Sequence, residues 1–158
     1  VVLSESTVSV AEGGADATYT VSLDADPGAT VVVTVDISTA SSDVLLSVSQ
    51  LLFDDSNYGD AQSVTVSAVE DGDVESLEEA TVTHSVSVSS GYTWNGAVSP
   101  GADLTARVYD NDEAGIVVST STLYVDEGGD AGYEVKLMGM PSQDVVVRAG
   151  QNRYTPNH

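Results

Sequence analysis

The sequence predicts an all-β chain built as an antiparallel β-sandwich. Three observations carry this. Val, Thr and Ser dominate, and they alternate with a period of two. Turn-forming clusters separate the alternating stretches at short intervals. Helix signals are poor throughout.

The elements follow in order along the chain. A first strand runs through Val8–Val10. In the next, Ala17, Tyr19, Val21 and Leu23 share one face, and Thr18, Thr20 and Ser22 the other. Val31, Val33, Val35 and Ile37 make a third apolar face. A short strand lies near Val44–Val48. Val64, Val66 and Ala68 alternate with Ser63, Thr65 and Ser67; Val82, Val86 and Val88 alternate with Thr83, Ser85 and Ser87. Leu104, Ala106 and Val108 close the set. Gly13-Gly14, Pro27-Gly28, Tyr58–Asp60 and Asp71–Asp73 are among the turns between them. Seven short strands in about 110 residues is the immunoglobulin-like pattern.

An internal repeat extends beyond these strands. STVSVAEGG at Ser6–Gly14 matches STLYVDEGG at Ser121–Gly129, with Val10 and Val125 115 residues apart. Tyr19, Val21 and Leu23 match Tyr133, Val135 and Leu137, now 114 apart, as do Pro27 and Pro141. The expected organisation is one complete repeat over residues 1–112 and the first strands of a second over 113–158. The second is expected to hold strands near Ile116–Val125, Gly132–Leu137 and Val145–Val147. Three strands with an open apolar face rarely stand alone. Two readings follow: a piece of a longer tandem array, or a repeat completed by another chain.

Composition bounds the function. The 158 residues carry 4 Lys+Arg against 25 Asp+Glu, a formal net charge of −21. Nucleic-acid binding needs cations to displace counterions, so that role is excluded, and anionic membranes repel such a chain. No apolar run is long enough to span a bilayer. No signal peptide is visible, so the chain reads as an internal or mature fragment. Cysteine is absent, which removes disulfides and thiol chemistry. The valine-rich core is thin and the like-charge load is heavy. Together they call for an external stabiliser, of which a divalent cation is the simplest.

The acids are clustered. Glu70, Asp71, Asp73, Glu75, Glu78 and Glu79 fall within ten residues; Asp110, Asp112 and Glu113 form a second knot, and Asp54 and Asp55 a third. An EF-hand counted from Asp71 would put Ser76 where Gly is required and Val82 where Glu is required, so that motif fails. In a sandwich, loops from several strand ends meet at one pole. The loop after Ala68 and the end of the strand at Tyr109 share such a pole, and Glu12 and Asp43 can reach it. Calcium takes 6–8 oxygen ligands, which this pole can supply.

These residues resemble the Calx-beta repeat, a β-sandwich calcium module of sodium–calcium exchangers and large extracellular adhesion proteins. The resemblance rests on Val10-Ala11-Glu12-Gly13-Gly14, Ser42-Asp43 running to Phe53, Glu70-Asp71 with Glu75 and Glu78, and Asp110-Asn111-Asp112-Glu113-Ala114-Gly115. It implies calcium ligands at Glu12, Asp43, Glu70, Asp71, Glu75, Glu78, Asp110 and Asp112, with the Asp73 or Val74 carbonyl as a further donor. Asn111 departs from the pattern by replacing an acid, and Glu70 by standing where Asp is usual.

Other chemistry is poorly supplied. His84 falls in the apolar phase of its strand and reads as a satisfied core histidine rather than a base. No serine sits in a Gly-x-Ser-x-Gly elbow, so no enzyme is expected. Tyr92 and Trp94, in a long loop, are candidate glycan or partner contacts. No Asn-x-Ser/Thr sequon occurs. The expected function is a calcium-stiffened structural module of an extracellular or cell-surface protein, for adhesion or fibre assembly. Its expected partners are neighbouring repeats, or further copies joined by strand complementation. A calcium sensor and a carbohydrate-binding module are the alternatives.

Overall fold

The computed structural model describes residues 1–38, 43–88 and 102–150. They form two compact units. The first holds Val1–Asp71 and Glu75–Asn111; the second holds Gly72–Val74 and the chain from Asp112 onward.

The first unit is an immunoglobulin-like β-sandwich. Its strands are β1 (Val2–Leu3), β2 (Thr7–Ala11), β3 (Ala17–Ser22), β4 (Val31–Ile37), β5 (Val44–Leu46), β6 (Gln50–Phe53), β7 (Gln62–Ala68), β8 (Glu78–Val88) and β9 (Leu104–Tyr109). One sheet runs β1-β3-β7-β5 and the other β2-β9-β8-β4-β6. Two strands exceed the sequence expectation. β6 has a visible signal, since Leu51 and Phe53 are buried between exposed Gln50 and Leu52. β1 is too short to register as a period.

The sandwich is mixed rather than wholly antiparallel. The N-terminal segment serves both sheets. Ser4 N donates to Thr20 O, the last link beside β3, and Thr105 N donates to Ser6 O, the first beside β9. From there β2 runs parallel to β9, with Val8 opposite Ala106 and Ala11 opposite Tyr109. This decides the site. Two parallel strands end at the same pole, so Glu12 and Asp110 emerge side by side. The antiparallel pairs bring more chain to that pole. Val44 at the start of β5 lies opposite Ala68 at the end of β7, and Glu78 at the start of β8 lies opposite Val108.

The inner faces supply the core. Val10, Val21, Val31, Val33, Val64, Val66 and Val82 are buried around the larger Tyr19, Phe53 and Leu104. Each large side chain so buried contributes ~1.5–3 kcal/mol. His84 is buried among them, as its phase predicts. Its Nδ1 lies 2.7 Å from the Ala102 carbonyl, which only accepts, so Nδ1 carries the proton. Nε2 is then an acceptor, and the Tyr19 hydroxyl donates to it at 2.8 Å. Burial holds the imidazole below its ordinary pKa. Tyr19→Phe strands Nε2 without a donor and is expected to cost about 1–3 kcal/mol in urea unfolding. Because the folded-state pKa of His84 is depressed, its contribution is full above about pH 6.5 and is lost as pH falls.

The second unit contains β10 (Ile116–Val118) and β11 (Val135–Leu137), paired antiparallel with Ile116 opposite Leu137. Both are shorter than expected, and Val145–Val147 is not a strand. Among the described residues no further strand pairs with this hairpin, so there is no ladder to extend them. Gly72–Val74 belongs here: Met140 N donates to Gly72 O, and Asp73 bridges Met140 in parallel.

Candidate metal centre

Glu12 follows β2 directly, and its N–H donates to Tyr109 O at 3.1 Å. Gly13 then turns the chain in the left-handed region, at φ 60°. The turn leaves Glu12 pointing inward, only 3% exposed. Its Oε2 is buried and has no hydrogen-bond partner among the described residues. An unsatisfied buried carboxylate oxygen is costly. Burial pushes the Glu12 pKa up to about 7, and the charges of Asp71, Asp110, Glu70 and Glu75 push it the same way. Five carboxylates, four of them on loops after strand ends, therefore share one local field.

Asp110 is held in place from across the pole. Its Oδ2 accepts from Glu75 N at 2.6 Å. Carboxylate oxygens of Glu12 and Asp110 lie within 4.8 Å of one another. Asn111 contributes what an acid cannot. Its Nδ2 donates to Glu12 O at 2.7 Å and to Glu70 Oε2 at 2.9 Å. The departure from an acid at position 111 thus fixes the Glu70 carboxylate, where a third acid would repel it. A Cβ at Gly13 would meet Glu70 Oε2 at 2.7 Å and Asn111 Nδ2 at 3.1 Å, so the Glu70 carboxylate would have to shift.

A second group stands at the same pole. Asp43 precedes β5, and its carbonyl accepts from Val69 N at 2.9 Å. Asp43 is buried, and its carboxylate oxygens gather with those of Glu75 and Glu78 within 4.8 Å. Glu78 sits on β8 rather than in a loop, because the strand begins there, opposite Val108. Glu79, its neighbour, faces the other way and forms an exposed ion pair with Arg107 at 2.8 Å. Such a pair adds ~0–1 kcal/mol.

The expected ligands are thus divided. Glu12 and Asp110 come together at one point, where the charges of Glu70 and Asp71 also act on Glu12, and Asp43, Glu75 and Glu78 gather at another. Asp73 lies in the segment that belongs to the second unit, and Asp112 opens that unit. Asp54 is engaged in a turn, accepting from Ser56 N at 2.8 Å and Ser56 Oγ at 2.6 Å, which hold its carboxyl below the ordinary value. Tyr92, Trp94 and Ser42 lie outside the described residues. Sequence reasoning missed Asn111 as a positioning group; the signal was an amide flanked by two acids.

The donors fit a hard divalent cation. All are oxygens, two are buried carboxylates, and one buried oxygen lacks a partner. Soft metals prefer thiolate or imidazole, which none of the described residues grouped at this pole offers.

No family model and no curated protein matches the chain. Solved structures do. The periplasmic chaperone SfaE aligns with a TM-score of 0.52 at 9% identity, over 70% of this chain and 56% of that one. The E. coli chaperone DraB aligns with a TM-score of 0.50 at 10% identity, over 89% and 86%. The D0-D1 domain of intimin aligns at 0.42 and 17% identity, over 87% and 63%. The chain spans little more than half the length of SfaE. At these identities the likeness is one of fold: the chain shares the immunoglobulin-like sandwich.

Proposed function

We propose that this chain is a non-catalytic, calcium-stiffened tandem β-sandwich module of a secreted or cell-surface protein, serving adhesion or fibre assembly. One observation carries the reading: the buried Glu12 carboxylate, with an unpartnered oxygen, faces Asp71, Asp110, Glu70 and Glu75. A proton or a cation relieves that arrangement, and above pH 7 only the cation does. Glu12 and Asp110 would hold one ion, with Glu70 and Asp71 adjacent; Asp43, Glu75 and Glu78 would hold another. The ion supplies positive charge where the sandwich gathers its negative charge.

The consequence is mechanical. The ligands come from the ends of β2, β7 and β9 and the starts of β5 and β8, so a cation ties both sheets together at one pole. The ordered motifs shared with the Calx-beta pattern support calcium as that cation. The exposed apolar side chains of the second unit support assembly by complementation.

Calorimetric titration separates a strut from a sensor. A strut in a calcium-rich medium is expected to bind at roughly 10⁻⁴–10⁻³ M without changing shape. Binding at ~10⁻⁷–10⁻⁵ M with a change in hydrodynamic radius would replace this reading with a regulatory one.

A further inference from the structure

The second unit reproduces the β1–β3 pairing that opens the first. In the first, Val2 pairs with Ser22 and Leu3 with Val21; in the second, Val117 pairs with Lys136 and Val118 with Val135. Ser4 N donates to Thr20 O, and Ser119 N donates to Glu134 O. The Ser4 hydroxyl accepts from Thr20 N at 2.9 Å, and the Ser119 hydroxyl from Glu134 N at 2.9 Å. Gly13 and Gly128 both take positive φ, and each sits within the same tight turn, closed by Gly14 N donating to Ala11 O and Gly129 N to Asp126 O.

What differs is the covering. Tyr19, Val21 and Val31 are 1%, 0% and 0% exposed; their counterparts Tyr133, Val135 and Val145 are 44%, 42% and 51% exposed. Ile116, Leu137, Pro141 and Val145 line a groove of about 540 Å³. At the corresponding place in the first unit, Leu23 N donates to Tyr58 O at 2.8 Å, and Tyr58 packs against the core. On the other edge of β3, β7 pairs antiparallel, with Tyr19 opposite Val64. Among the described residues β11 pairs with β10 alone.

The first unit therefore displays the occupant that the second is shaped for. We propose that the second unit is an acceptor for a segment of this chain's own repeat type, the counterpart of residues 24–111. That segment would lay a β7-like strand of alternating Val and Thr along the outer edge of β11. It would also set an Asn-Tyr turn in the groove, its carbonyl accepting from Leu137 N–H. The inference rests on the tandem-module reading and names the partner by which modules are joined.

The full 158-residue chain is refolded in calcium together with a polypeptide of residues 24–111. Light scattering is expected to show a 1:1 complex. The amides of residues 133–137 should exchange at least 100-fold more slowly than in the chain alone. Val135→Asp should abolish both effects while the amide of Val21 stays protected. If the separate segment precipitates, a chain in which Leu137 continues into a second copy of residues 24–111 gives the same reading of amides 133–137. Unchanged exchange at 133–137 in that covalent form overturns the proposal, and so does a complex that persists with Val135→Asp. The amide of Val21, followed in calcium and in EDTA, reports on cation binding separately, so failure of one idea is not mistaken for failure of the other.

Discussion

Replacing Glu12 with Gln is expected to stabilise the calcium-free protein. At pH 8 without metal, the gain should be about 1–3 kcal/mol, or a rise in Tm of roughly 5–15 °C. Glu12 is nearly fully buried, one of its oxygens is unpartnered, and its pKa is raised from 4.5 to about 7. A carboxyl whose folded-state pKa lies above its unfolded value stabilises the fold fully below about pH 4.5. That contribution disappears as pH rises to 7. The gap between Glu12→Gln and the parent should therefore be small at pH 4.5, widen to pH 7 and then level off. His84 titrates oppositely, but it is common to both proteins and cancels in the difference. With calcium the gap should narrow. The parent is expected to gain and the variant to lose at least half of that gain, because an amide cannot supply the missing charge. A variant no more stable than the parent in EDTA at pH 8 would contradict the assignment.

Gly13→Ala is expected to damage both the fold and the site, and Gly28→Ala serves as its control. Both glycines have positive φ, near 60° and 64°. An L-residue there costs roughly 1–2 kcal/mol. A Cβ at Gly28 meets nothing within 4 Å, whereas one at Gly13 meets the Glu70 carboxylate. The carboxylate must then shift from the position in which it accepts from Asn111. Both variants should melt about 4–15 °C lower. Only Gly13→Ala should also weaken calcium binding, by about tenfold, as measured by titration. Equal binding by the two variants would mean that Glu70 takes no part.

Much of the fold was legible because a half-buried strand writes itself as alternation. In β3, β4, β7 and β9 the fully buried residues fall on alternate positions, as their Val/Thr patterns require. Sheet partnership was not legible. Nothing in Thr7–Ala11 states that it will run parallel to a strand almost a hundred residues later. Yet that pairing is what sets Glu12 beside Asp110. The acidic stretch after β7 reads as one loop, but the structure uses it in three ways. Glu70 and Asp71 stay at the pole, Gly72–Val74 joins the second unit, and Glu78 begins β8. Such division depends on long-range contacts that a local pattern does not carry. Asn111 shows the converse, a residue whose value lies in a proton it donates rather than a charge it bears.

Thermal unfolding of the intact chain at pH 8, in EDTA and in 10 mM calcium, tests the central claim most directly. With sites of roughly 10⁻⁴–10⁻³ M affinity, each bound ion adds about 1.4–2.7 kcal/mol. The Tm of the first unit should rise by roughly 5–15 °C on adding calcium, and magnesium at the same concentration should do much less. Superimposable melting curves in EDTA and calcium would contradict the account.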